Sequence, residues 1–265
     1  MLRARVLTAL LLLGLTLAAI YLLPQGVFAL LLGGVVLACG WEWSRLAGLE
    51  SSAARGGAVA VLALVMLLVE IQPTEARHVL WLASGLWLVA VLLVVRYPRD
   101  ARWLSGLPVG LMGLPVLVGA WVGLCAIRGA EQGGHWLLWL FCLVWGADIG
   151  AYFAGRQFGR RKLAPAVSPG KTWEGVLGGA LLSLALTWSA LVLTDQWSPV
   201  WVPVVLSLIA LSVFGDLFES VLKRQRGVKD SGALLPGHGG LLDRVDALLP
   251  VLPVFALLQP LLLTR

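Results

Sequence analysis

Apolar runs follow one another from one end of this 265-residue chain to the other, and nothing constrains its folding more. A straight helix needs about 20 apolar residues to cross the hydrocarbon of a bilayer, and inside it every backbone polar group must be satisfied within the segment. Nine candidate spans can be marked, roughly Val6–Leu23, Val27–Trp43, Gly57–Ile71, Val79–Val95, Gly106–Ile127, His135–Phe153, Thr172–Thr194, Val200–Val221 and Val245–Leu263. The fold class they imply is all-α: a polytopic membrane protein with about nine transmembrane helices. Composition agrees, at 59% hydrophobic and 13% charged with a mean hydropathy of +0.90, where a soluble domain carries about 25% charged residues. The runs are spread end to end, so residues 1–265 read as a single integral membrane domain, with N-terminal spans in 1–140 and the chemistry in 141–265. The opening "MLRARVLTALLLLGLTLAAIYLLPQG" has the arginines of a signal peptide. Its apolar stretch is too long for one, however, and no small-x-small site ends it, so it reads as an uncleaved first helix.

The net charge of +6 would suggest nucleic acid in a soluble protein. Here the basic residues lie between apolar segments, where they set topology or meet anionic headgroups. Seventeen of the twenty fall at the N-terminus or in the loops after spans two, four, six and eight. Only Arg77, Arg128 and Arg265 fall on the other side. That bias predicts a multi-pass protein of the inner (plasma) membrane with a cytoplasmic N-terminus. Cys39, Cys125 and Cys142 lack metal-ligand spacing and read as small buried hydrophobes.

Up to about Leu140 the spans are plain Leu/Val/Ala/Gly/Trp helices; after it, acids appear at span ends. Three polar clusters fall on the cytoplasmic side. They are "WGADIG" with the "GRQFGRRKLAPAVSPGKTWEG" that follows, "GDLFESVLKR", and the stretch Lys223–Pro250, which contains "LLDRVD". A carboxylate in a membrane helix costs a few kcal/mol and normally faces a partner or a wet cavity. Asp148, Asp216 and Glu219 are so placed. Asp216, Glu219 and Ser220, at i, i+3 and i+4, share a helix face, and Asp243 and Asp246 lie one turn apart. Two carboxylate-bearing helix ends meeting in one pocket suit Mg²⁺, which takes one or two carboxylates plus waters and substrate phosphates. The plainer alternative is a structural ion-pair network with Lys223, Arg224 and Arg244.

"PGHGG", Pro236 to Gly240, leads directly into the helix of span nine, where backbone amides and a helix N-terminus would attract phosphate. Lys223, Arg224, Lys229 and Arg244 can clamp it. "SPGKTWEG", Ser168 to Gly175, invites a Walker A reading, but that motif needs glycine where Pro165 stands. Lys171 then reads as a phosphate-binding lysine, and Gly175 and Gly179 as a helix-packing pair. His238 is the only histidine on the cytoplasmic side, and no Ser-His-Asp set or zinc spacing can be assembled. Metal-assisted phosphoryl or nucleotidyl transfer beside lipid remains.

The run Ser220-x-Leu222-Lys223-Arg224-x4-Lys229-Asp230-x-Gly232-x2-Leu235-Pro236-x-His238-Gly239-Gly240-Leu241-x-Asp243-Arg244-Val245-Asp246 resembles the signature of the phosphatidate cytidylyltransferases. The nine-span layout and "SPGKTWEG" are similar too. The resemblance implies that CTP and phosphatidate give CDP-diacylglycerol and pyrophosphate at the cytoplasmic face. It implies that Asp216 and Asp243 hold Mg²⁺ with Asp246 close by, leaving room for a second, monovalent cation. Lys171, Lys223, Arg224 and Lys229 would neutralise phosphates. Ser168, Ser220, Asp230, Arg244 and, less centrally, Asp148 would join His238, Gly239 and Gly240 around the substrates. The partners are membrane lipids, CTP and phosphatidate, with no nucleic acid; a homodimer is left open. Two rivals stand beside this reading. A CTP-dependent polyprenol or phytol kinase would release CDP. A transporter of anions would show polar residues along a full path and an internal repeat.

Overall fold

The structure, a computed structural model, describes residues 13–234 and 239–263. The start of the first expected span, Arg3, Arg5, Pro236, Gly237, His238 and Arg265 lie outside the described residues. Nine helices run through the rest: α1 (Leu13–Leu22), α2 (Gln25–Leu46), α3 (Ser52–Ile71), α4 (Ala76–Arg96), α5 (Gly106–Gly129), α6 (Gly133–Phe158), α7 (Trp173–Leu193), α8 (Trp201–Gln225) and α9 (Leu248–Leu263). Seven of them are long and apolar enough to cross a membrane; α1 and α9 are shorter. At 16 residues and a rise of 1.5 Å per residue, α9 spans only about 24 Å.

Helix α5 is the central column, touched by α2, α4, α6 and α9. Its small residues let neighbours approach. A Cβ at Gly123 would lie 2.8 Å from the Leu252 backbone of α9, and one at Gly113 would meet the Trp43 indole of α2. The closest pair is α6 with α7. A Cβ at Gly150 would sit 2.6 Å from the Gly178 carbonyl, and Gly175 and Gly179 abut Ala151 and Ala147. Gly175 and Gly179 are therefore packing residues, as their spacing implies. Outward faces carry large apolar side chains such as Leu30, Leu92 and Leu181, as a lipid-facing surface requires. Cys39 is buried and Cys125 half-buried, but Cys142 is exposed on this outer face of α6, contrary to the expectation for it.

The segment between spans six and seven is not a plain loop. Strand β1 (Lys162–Ala164) pairs antiparallel with β2 (Ser168–Thr172), Lys162 opposite Thr172 and Ala164 opposite Ser168. The Glu174 carboxylate accepts from the Arg160 and Arg161 amides at 3.1–3.2 Å, and Thr172 caps α7 by accepting from the Gly175 amide. These contacts hold a polar hairpin beside the ends of α6 and α8. Gly227, at φ +64°, lets the chain turn out of α8 in the left-handed region that favours glycine. A 3₁₀ turn at Leu242–Arg244 and a further turn separate the glycines at 239 and 240 from α9. The glycine stretch therefore does not cap span nine, as its position in the sequence suggested.

Candidate active site

The C-terminal ends of α2 and α8, the hairpin and residues 226–234 and 239–247 meet at one end of the bundle. Arg224 Nε donates to the Val167 carbonyl of the hairpin at 3.3 Å, and Arg226 approaches Glu50 beyond α2 at 3.6 Å. Into this end α8 presents Asp216, Glu219, Ser220 and Lys223 on successive turns. The close approach of α8 to the turn before α9 is possible because residue 215 is glycine; a Cβ there would stand 2.5 Å from the Asp246 carbonyl.

Two lysine–aspartate contacts organise the site. Lys171 Nζ, carried by β2, lies 2.7 Å from Asp216 Oδ2, while Asp216 Oδ1 accepts from Ser220 Oγ at 3.2 Å. Lys223 Nζ bridges Asp243 Oδ1 and Glu219 Oε2, the latter at 3.0 Å. The other Asp243 oxygen accepts from the Ser231 amide and hydroxyl, each at 3.0 Å, and from the Gly240 amide at 2.9 Å. Burial raises the Asp243 carboxyl, but Lys223 and the two amides outweigh it and hold it below the usual carboxylate range. In the turn ahead of α9, burial and the neighbouring Asp216 push Asp246 up to about 6, against a hydrogen bond from the Ala247 amide at 2.7 Å.

Around this core the other expected residues take different places. Arg224, Lys229, Asp230 and Arg244 are exposed at its edge, and Ser168 is half-buried at the start of β2. Gly239, at φ +83°, fits between the Asp230 and Asp243 carboxylates, where a Cβ would be 3.4 Å from each. Asp148, Tyr152 and Lys171 line a cavity of about 210 Å³ that continues between α6, α7 and α8 to Ile209 and Val213. A second cavity, of about 400 Å³, lies at the other end of the bundle beside Glu131 and Trp201, away from these residues. Lys223, expected to neutralise phosphate, has its side chain only 12% exposed and pairs with the Glu219 and Asp243 carboxylates.

One residue of the site escapes the sequence reading. Glu42, on the supposedly plain second span, is 1% exposed, accepts from the Leu242 amide at 2.8 Å and lies 3.1 Å from Ser231 Oγ. Its signal was a lone carboxylate in an apolar helix. Among the described residues no cage of three or more metal-ligating groups is ready-made. The donor set still fits a hard dication. Five carboxyl groups, Asp148, Asp216, Glu219, Asp243 and Asp246, surround two inward lysines, with Glu42 behind Ser231, and Asp216 and Asp246 repel one another. One or two carboxylates sharing the ion with substrate phosphate is the arrangement Mg²⁺ prefers.

The cytidylyltransferase family model matches residues 3–262. The chain belongs to the cytidylyltransferase family. It is 47% identical to the phosphatidate cytidylyltransferase of Pseudomonas aeruginosa, with 97% of each chain covered. It is 37% identical to that of Haemophilus influenzae, over 97% of this chain and 98% of the other. With that of Brucella suis it shares 38% identity, over 93% of this chain and 89% of the relative. The family match runs from the first helix to the last, so the N-terminal helices that pack α5 and supply Glu42 are as much part of this cytidylyltransferase as the polar C-terminal half.

Proposed function

We propose that this chain transfers the cytidylyl group of CTP to phosphatidate, giving CDP-diacylglycerol and pyrophosphate for phospholipid synthesis. The observation that carries this reading is the pair of interlocked contacts, Lys171–Asp216 and Lys223–Asp243, at one end of an apolar bundle in a cytidylyltransferase-family chain. A phosphate oxygen of phosphatidate forms the new bond to the α-phosphorus of CTP, and the bond from that phosphorus to the bridging oxygen breaks, so pyrophosphate leaves. The attacking oxygen is already anionic at neutral pH, so no strong base is needed. The demands are in-line placement and charge neutralisation. Lys171, Arg224, Lys229 and Arg244 supply positive charge at the rim. The cavity from Lys171 to Val213 joins a cation to apolar walls, which suits a lipid phosphate whose acyl chains stay in the bilayer. Asp216, Asp243 and Asp246 are the carboxylates assigned to Mg²⁺, which when bound would neutralise charge on the triphosphate; Asp243 would exchange its Lys223 contact to take part.

The test is product identity with purified protein, CTP and phosphatidate. CDP-diacylglycerol with equimolar pyrophosphate is expected. CDP would instead indicate a lipid kinase, and no nucleotide turnover would indicate transport. Lys229 is exposed and makes no ion pair among the described residues, so Lys229→Ala should leave the melting temperature nearly unchanged. It should lower CTP-dependent turnover by about 10- to 1,000-fold, the range of one lost charge-assisted phosphate contact. Early melting with full turnover per folded molecule would make the lysine structural.

We further assign the site and the N-terminus to the cytoplasmic face of the inner membrane, from the seventeen-to-three bias of basic residues. With Cys39, Cys125 and Cys142 replaced by alanine, a cysteine at Arg160 should resist an impermeant reagent added outside intact cells, and one at Arg265 should react. Equal labelling would overturn the nine-span orientation.

A further inference from the structure

Glu42 sits in the first half of the chain, yet its contacts lie two hundred residues away. Its rotation about α2 is held from both sides. Trp43 donates its indole N–H to the Val109 carbonyl of α5 at 2.8 Å and lies against Phe218 of α8. The Trp41 carbonyl accepts from Arg55, which also stacks on the Trp41 ring at 4.0 Å. With both neighbours fixed, Glu42 points into the bundle; Arg55 acts on it electrostatically, but among the described residues no basic side chain forms an ion pair with it. Such a carboxyl is costly unless it is used. One oxygen takes the Leu242 amide and approaches the Ser231 hydroxyl; the other has no hydrogen-bond partner among the described residues.

Residues 231–232 and 240–242 are shaped around this group. A Cβ at Gly232 would fall 2.0 Å from Glu42 Oε1, and one at Gly240 would fall 2.7 Å from Glu42 Oε2. Both glycines are where the chain passes over the carboxyl. Ser231, beside Gly232, and Gly240 itself supply the three donors that hold Asp243 Oδ2. Ser231, itself fully buried, touches Glu42 and Asp243 with the same hydroxyl.

We infer that Glu42 is a positioning residue for the transfer reaction: a buried hydrogen-bond acceptor on which Ser231–Gly232 and Gly240–Leu242 are seated, so that α2 fixes the place of Asp243. The inference rests on the reaction proposed above, and it assigns a role in that reaction to the N-terminal half. Glu42 touches neither substrate. What the role needs is an acceptor oxygen at this point, not a charge.

The experiment uses the full-length protein in lipid nanodiscs, with melting curves and steady-state kinetics for CTP. Glu42→Gln keeps an acceptor oxygen and the shape, and it should retain kcat within about 5-fold of the parent while melting alongside it, since a neutral hydrogen bond differs modestly from a charged one. Glu42→Ala should lose kcat by about 100-fold per folded molecule, the cost of a reacting group displaced by about 1 Å, with a much smaller change in KM for CTP. Loss of stability with unaltered kcat per folded molecule would overturn the inference, and so would a Gln variant as inactive as the Ala variant. A second arm does not depend on activity. Gly232→Ala should lower the melting temperature of the parent and lower it clearly less in the Glu42→Ala background, because the clash has been removed. Additive shifts would overturn the seating of the segment on Glu42. A parent protein that made no CDP-diacylglycerol, yet showed this coupling, would sink the reaction and leave the contact standing.

Discussion

Asp243→Asn should abolish turnover, by about 10³-fold or more, and should also cost stability. The two effects share one cause. Lys223 and Asp243 are nearly buried, with side chains 12% and 11% exposed, so removing the aspartate charge leaves Lys223 with Glu219 alone. The asparagine amide must also place an –NH₂ group where either Lys223 or the Ser231 and Gly240 amides now donate. The segment over Glu42 loses its anchor, and with it the proposed Mg²⁺ loses a ligand. The acid limb of stability should change as well. The folded-state Asp243 carboxyl is held below its ordinary range. It therefore contributes stability that is present above the unfolded value of about 3.9 and lost as pH falls through the lower folded one. The variant should show a flatter decline there. CDP-diacylglycerol formation per folded molecule, with melting curves across pH, checks both; substantial activity at ordinary Mg²⁺ would remove Asp243 from the essential residues.

Asp216→Asn should be as damaging to turnover, by about 10³-fold, but with the opposite signature in stability. The Lys171–Asp216 pair is a quarter to a third exposed, and a pair so wetted contributes about 1 kcal/mol or less. Against that small loss stands a relief. Asp216 is one reason the Asp246 carboxyl is pushed up to about 6. A carboxyl raised in this way contributes stability that is lost as pH rises through about 6. Neutralising Asp216 removes part of that penalty at neutral pH. The expected melting temperature at pH 7–8 is thus equal to or above that of the parent, in a protein without turnover. A pronounced drop in melting temperature would mean that Asp216 acts as a structural partner of Lys171 rather than as a ligand of substrate or cation.

The contrast separates two kinds of charge in the site. Lys223, Glu219 and Asp243 form an inner, buried set joined through the Lys223 ammonium. Lys171 and Asp148 line the cavity, Asp216 pairs with Lys171 beside it, and Arg224, Lys229 and Arg244 are exposed at the rim, where the proposed substrate phosphates would reach them. From sequence all of these looked alike, since each is a charge beside an apolar run. Exposure is set by which side of α8 faces the turn before α9, and that depends on the approach made possible by Gly215 rather than on the spacing of the charges.

The helices themselves were legible because hydrocarbon leaves the chain few choices. Long apolar stretches must be helical, and basic residues must gather on one side. The expected spans accordingly match the observed helices to within a few residues from α2 onward. The acids of the second half were legible for the same reason, since a carboxylate in such a helix needs a use, and Asp216, Glu219 and Ser220 had to share a face. Only tertiary structure decided the rest. The β1–β2 hairpin depends on Glu174 receiving two amides from the other side of the turn. Whether Lys223 met phosphate or Asp243 depended on a contact between residues 20 positions apart, and the importance of Glu42 on contacts 189 and 200 positions away. Local pattern reports the solvent a residue prefers. It does not report which distant backbone amide will be brought against it, and in this protein that pairing sets the place of Asp243.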